Sequence, residues 1–314
     1  MMGYQITKSQ VSVDKEKKFV RENLQLLKGL NISTILSLAR LHVYVPICFF
    51  STTVGLDVTN RLHELASLFI IGLANTFALI ATFAFNDAED APDDMLARSP
   101  KNVIALGRVS KGAGYLVAAV AAAISISLAI IEGITVCLII LAILITTFLY
   151  FWRRFRMKAM PFWDTFVHAV TGGLIFLSSA WSSQEGIIWG NQVLPICLIF
   201  SLGTMLALLV HGLYEYEDDM NANVRTTVVV LGKRISFWIV VGIFSLLTGL
   251  IINECYSGVF PLISIISFFI VVGTLILLSI MLFPKKAIYM SKRMVPWAVN
   301  SGAISTIIVW YLVK

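Results

Sequence analysis

Nine stretches of mostly apolar residues, each long enough to cross a bilayer, constrain this chain more than any other feature. A spanning helix needs about 20 such residues. The stretches fall at roughly 33–56, 62–85, 113–131, 133–151, 164–183, 188–213, 235–253, 257–283 and 294–313. Backbone polar groups find no water in lipid, so segments of this length predict helices. Only Glu132 and Gly133 separate the third from the fourth, which suits a tight turn between antiparallel helices. Of the 314 residues, 58% are hydrophobic and 13% charged, against about a quarter charged in soluble proteins. A water-soluble core has no room for that much apolar surface, and a bilayer does. The expected fold class is all-α, a polytopic membrane protein of nine transmembrane helices. It divides into a polar N-terminal arm, 1–32, and one membrane domain, 33–314.

The charges sort by side. The N-terminal arm and the loops after the second, fourth, sixth and eighth stretches carry 21 of the 24 basic residues. The other side has Arg61 and Lys314, and Arg40 falls within the first stretch. This alternation predicts a cytoplasmic N-terminus, with the C-terminus opposite. The arm around Lys15–Leu30 mixes Phe19, Leu24, Leu27 and Leu30 with lysines. Such a segment suits either an amphipathic helix on the anionic leaflet or a solvated lead-in helix. The four cysteines are far apart, which points to neither a disulfide framework nor a zinc site.

The acids are more telling. Nine of the 18 lie in two short runs, Asn86 to Asp94 and Glu215 to Asp219, each directly after an apolar stretch on the basic side. Asp87, Asp90 and Asp94 recur at i, i+3 and i+7 and share one helical face. Asn86 and Asp90 are one turn apart, as are Glu215 and Asp219. Two such faces across a cavity would form a cage of hard oxygen donors suited to Mg²⁺ and a substrate diphosphate. Basic residues flank both runs: Arg98, Lys101 and Arg108 after the first, Arg225 and Lys233 after the second. Tyr150, Arg153, Arg154, Arg156 and Lys158 end the fourth stretch. As a group, these cations suit diphosphate oxygens and a leaving group.

Arg40 is an intramembrane arginine and therefore a candidate site residue, with His42 beside it. It suits an anionic acceptor, the diphosphate, or a structural pair with an acid. His211 precedes Glu215 by one turn and His168 follows Asp164 by one turn. For His211, a nitrogen ligand or a proton shuttle stands beside a hydrogen-bonded helix-end histidine.

Asn86-Asp87-x-x-Asp90-x-x-x-Asp94 matches in full the NDxxDxxxD motif of the UbiA-type intramembrane prenyltransferases. The run from Ser99 to Ser110 resembles the family's segment after that motif, though it lacks the NRPxRP pattern. Glu215-x-x-x-Asp219, followed by Arg225-Thr226-Thr227 through Gly232, resembles the second acidic motif and its trailing segment. The family usually has DxxDxxxD there, whereas this chain has Gly212, Glu215 and Asp219, with Glu217 or Asp218 as a substitute. Tyr150, Arg156 and Lys158 resemble the family's residues after its fourth span.

The resemblance implies a UbiA-like bundle of nine helices around a central cavity. It implies Mg²⁺, as two ions bridging a diphosphate, held by Asn86, Asp87, Asp90, Asp94, Glu215, Asp218 and Asp219. Asn86, Arg98, Lys101, Tyr150, Arg156, Lys158 and Arg225 would bind the diphosphate, and Arg40 and His42 the acceptor. The implied reaction is Mg²⁺-assisted ionisation of an allylic isoprenyl diphosphate and transfer of the prenyl group to a lipophilic or aromatic acceptor. A membrane terpene cyclase of the same fold is the alternative within the family, and a cation or substrate transporter the alternative from another class.

In a background lacking Cys48, Cys137, Cys197 and Cys255, a cysteine introduced by Arg153→Cys should react with an impermeant maleimide from the cytoplasmic face. One introduced by Asn60→Cys should react from the opposite face. The reverse pattern would overturn the charge-based topology.

Overall fold

The computed structural model describes residues 28–96, 102–181, 192–221, 224–263, 265–266, 304 and 306–313, and no strand occurs among them. The helices are α1 (Ile32–Ala39), α2 (Leu41–Val58), α3 (Leu65–Leu96), α4 (Lys111–Glu132), α5 (Ile134–Phe151), α6 (Trp163–Ala180), α7 (Val193–Asn221) and α8 (Thr227–Tyr256). A 3₁₀ turn, Met157–Ala159, precedes α6. Five of the helices, α3, α4, α5, α7 and α8, are long and apolar enough to cross a membrane, and α1 with α2, bent by 50° at their break, reach that length only as a pair. The chain is an integral, multi-pass membrane protein. The eighth stretch, most of the ninth and residues 1–27 of the arm fall largely outside the described residues, although 306–313 are helical.

Several expected boundaries shift for local reasons. The first stretch is two helices rather than one. Asn31 caps α1, its Oδ1 accepting from the Thr34 amide at 3.0 Å while Thr34 Oγ1 accepts from the Asn31 amide. Arg40 ends α1 in the left-handed region at φ 45°, a conformation that disfavours a side chain by roughly 1–2 kcal/mol. The second stretch runs three turns past its expected end, so the whole first acidic run lies on α3. The sixth likewise extends through the second acidic run to Asn221. Thr226 caps α8, and Gly232 breaks it internally at φ 77°, which glycine tolerates without steric cost.

The chain divides into two compact units, Met1–Arg40 with Ile80–Ala121 and Leu41–Leu79 with Ala122–Lys314. In the first, Ala84, Ala88 and Ala91 form a small-residue stripe on α3, packed with Leu38, Val103, Ile104, Val109, Ala113 and Ala118. A Cβ at Gly114 would stand 2.5 Å from Ile104 Cδ1 and 3.2 Å from the Ala88 methyl. In the second unit, α6 packs against α2, α5 and α7, and α7 also packs against α8. α6 is therefore enclosed on several sides, and its buried positions are mostly small or polar: Asp164, Thr165, Gly172, Gly173, Ser178 and Ser179. Close approach of this kind drives helix association in lipid, where apolar burial does not. Ser178 Oγ accepts a 2.8 Å bond from the buried Asn75 amide, tying α6 to α3 within this unit. Val54, Phe176, Ile196, Val259, Phe260 and Trp310 make its main apolar cluster.

Between α2 and α3, Arg61 bridges Glu64 at 2.6 Å and Glu132 at 3.1 Å. Its hydrogen bonds hold the Glu64 carboxyl below the usual carboxylate range.

The Gly172 contact is tight against main chain. A Cβ there would lie 2.3 Å from Thr204 Oγ1 and 2.6 Å from the Phe200 carbonyl oxygen. Gly172→Ala should cost about 1–3 kcal/mol in reversible denaturation of the detergent-solubilised protein. Gly249→Ala in α8, with nothing within 4 Å of its Cβ, should be neutral or stabilising because alanine is the better helix former.

Candidate active site

The end of α3 carries carboxylates on two faces, each with its own partners. Asp87 is buried, at 2% exposure. A carboxylate in that position needs a counter-charge, and Arg40 Nη2 supplies it at 2.5 Å from Asp87 Oδ1. The break at Arg40 places the guanidinium there, and it also lies 5.5 Å from the centre of the Phe83 ring. Of the three roles open to Arg40, the structure displays the acidic pair, and the acid is the first aspartate of the motif. Arg40 is partly exposed rather than buried in an unbroken span. Asp90 and Asp94 follow on the same face, half-buried. Glu89 is buried on another face, accepting from the Tyr115 hydroxyl, with Lys111 Nζ 3.9 Å away. Glu89 thus serves the contact with α4.

Sequence reasoning missed Asn102. It is 1% exposed, and its Nδ2 donates to Asp94 Oδ2 and to the Asp87 carbonyl, both at 2.8 Å. Its Oδ1 accepts from the amides of Ile104 and Ala105, which closes the turn between α3 and α4. An asparagine in a polar loop carries no sequence signal of such a role.

The second acidic run lies in the other unit, at the end of α7. His211 Nε2 pairs with Glu215 Oε2 at 3.1 Å. Asp219 Oδ2 accepts from Thr226 Oγ1 at 3.3 Å, and its carbonyl from the Val224 amide. Glu217 pairs with Lys233, which lies 4.9 Å from the Tyr216 ring. Gly212 stands where the family's first carboxylate would. A Cβ there would lie 2.8 Å from Val228 Cγ2, so α8 occupies the space a side chain would need.

Asp164 and Thr227 were also missed. Asp164 is buried at the start of α6. It accepts from the Thr227 amide at 2.7 Å and from the Thr227 hydroxyl, joining the starts of α6 and α8. A lone acid in an apolar stretch is the signal that marks it. Tyr150 is buried, its ring edge-on to His168 at 5.0 Å. Arg156 precedes the 3₁₀ turn at φ 46°, and Lys158 Nζ lies 5.9 Å from the Phe151 ring. Arg225 is exposed. Arg98 and Lys101, and the side chains of His42 and Asp218, lie outside the described residues.

Among the described residues, no three His, Cys, Asp or Glu side chains close on one metal position. The first run presents its donors along a helix face rather than as a finished cage. The donor set still fits a hard divalent cation: half-buried carboxylates at Asp90 and Asp94, and a buried Asn86 Oδ1 with no hydrogen-bond partner.

The model of the UbiA prenyltransferase family matches residues 44–306. Among solved structures, a UbiA homologue from Aeropyrum pernix K1 in its apo form aligns with TM-score 0.63 and 17% identity, over 89% of this chain and 98% of that one. A UbiA homologue from Archaeoglobus fulgidus bound to DMAPP and Mg²⁺ aligns with TM-score 0.58 and 18% identity, over 87% and 86%. A structure of digeranylgeranylglyceryl phosphate synthase aligns with TM-score 0.58 and 17% identity, over 88% and 97%. No curated protein matches the chain.

Arg40→Gln removes the counter-charge of Asp87 and should destabilise the protein by about 1–3 kcal/mol, the partial exposure of Arg40 keeping the cost below that of a fully buried pair. Asp87→Asn in the same chain should recover part of that loss. Strictly additive losses in a double-mutant cycle would mean the two side chains do not interact.

Proposed function

The chain belongs to the UbiA prenyltransferase family, and on that premise we propose that it transfers a prenyl group from an allylic isoprenyl diphosphate to a lipophilic or aromatic acceptor within the membrane. The observation that carries the reading is the complete NDxxDxxxD set on one face at the end of α3, with Asp87 buried against Arg40. The A. fulgidus homologue's complex with DMAPP and Mg²⁺ supports both the donor class and the metal.

Mg²⁺, two ions in this reading, supplies Lewis-acid charge for the departing diphosphate when bound. Asn86, Asp87, Asp90 and Asp94 from one motif, and Glu215, Asp218 and Asp219 from the other, would supply the hard oxygens to hold it. Arg98, Lys101, Tyr150, Arg156, Lys158 and Arg225 bind and orient the diphosphate and offset its charge. Arg40 and His42 bind the acceptor in this reading. Arg40 stays beside Asp87 until an anion competes for its guanidinium. The apolar helices exclude water, which otherwise quenches an allylic cation before the acceptor attacks. The N-terminal arm and the helix ends bearing the acidic motifs lie on the cytoplasmic side in this reading, and 33–314 act as one domain.

Purified protein in lipid should release diphosphate from DMAPP, geranyl or geranylgeranyl diphosphate only when Mg²⁺ and a membrane extract are supplied. Asp87→Ala and Asp90→Ala should each lower the rate by at least about 100-fold. Full activity in EDTA would overturn the proposal. A cyclised hydrocarbon from donor alone would identify a cyclase instead.

A further inference from the structure

Asn102 stands in the segment that departs from the family's NRPxRP pattern, yet it is among the most buried polar residues of its unit. Its hydrogen bonds are fully committed. Both Nδ2 bonds go to α3, one to the main chain at Asp87 and one to the side chain of Asp94, so a single carboxamide spans the first and last aspartates of the motif. Its Oδ1 is held by two amides of the following turn. The carboxamide therefore cannot rotate without leaving buried groups unsatisfied.

The chemistry of the contact is selective. A neutral amide donor fixes Asp94 Oδ2 without adding a competing charge and leaves Oδ1 outside the bond. Arg40, by contrast, grips Asp87 as a counter-ion.

Resting on the prenyltransferase reading, we propose that Asn102 is a positioning residue for the metal-binding face: it holds Asp94 in register with Asp87 so that the motif receives the divalent cation with its donors already oriented. Outer partners of this kind typically change metal affinity by about 10- to 100-fold when lost.

The test uses the full-length protein in detergent with Mn²⁺ and inorganic pyrophosphate, followed by electron paramagnetic resonance. Asn102→Ser keeps a hydroxyl acceptor for the turn but is too short to reach Asp94. It should raise the apparent Mn²⁺ dissociation constant by about 10-fold or more, a larger effect than the fall in metal-free stability that its two lost hydrogen bonds cause. It should also raise the Mg²⁺ concentration for half-maximal rate more than it lowers the rate at saturating Mg²⁺. Asn102→Gln, which keeps the amide donors, should retain part of the affinity. Wild-type Mn²⁺ affinity in Asn102→Ser, or a melting temperature that falls in step with affinity in both variants, would overturn the proposal and leave the prenyltransferase reading standing. Absence of Mn²⁺ binding by the wild type would overturn both.

Discussion

A carboxylate buried in a membrane-embedded helix is stable only with its charge compensated, and the end of α3 is arranged around that requirement at Asp87. The compensation is Arg40, which reaches Asp87 because α1 stops there in a left-handed turn. A straight helix through residues 33–56 would have left the arginine one more costly charge in lipid. Broken, it becomes the partner that lets the motif begin inside the bundle. Asn102 then secures the other end of the same face from the following loop. The carboxylates of the first motif are thus held from outside their own helix, by side chains 47 residues before Asp87 and 8 residues after Asp94.

The second unit meets its polar requirements differently. α6 is enclosed by neighbours and uses small residues for close approach, with hydroxyls bonded to backbone carbonyls. Its one acid, Asp164, is consumed by the amide and hydroxyl of Thr227. That bond fixes the start of α8, whose cap, Thr226, in turn reaches Asp219 of the second motif. The threonines after the acidic run are therefore structural couplers between helix ends. Val228 packs closely on Gly212, the position where this acidic motif lacks its first carboxylate.

Much of this was legible in the chain. Length and apolarity located the helices, because a bilayer forces any long apolar stretch to satisfy its own backbone. The i, i+3, i+7 spacing put Asp87, Asp90 and Asp94 on one face, and α3 keeps them there. Boundaries were less legible. The apolar stretches were expected to end at 85 and 213, just before acidic runs whose clustered like charges disfavour a helix, yet α3 and α7 continue through both runs. In the first run, Arg40, Tyr115 and Asn102 neutralise or bind individual acids from other segments; in the second, His211, Lys233 and Thr226 do so.

The sequence by itself determined the class, the family and the carboxylate face, since these depend on composition and on periodicity within a single helix. Only the tertiary structure decided that Arg40 pairs with Asp87, that Asn102 braces Asp94, that Asp164 belongs to Thr227 and that Val228 packs on Gly212. Each of those is a contact between segments distant in the chain or turned around a loop, set by how helices approach one another, and no local pattern of residues encodes it.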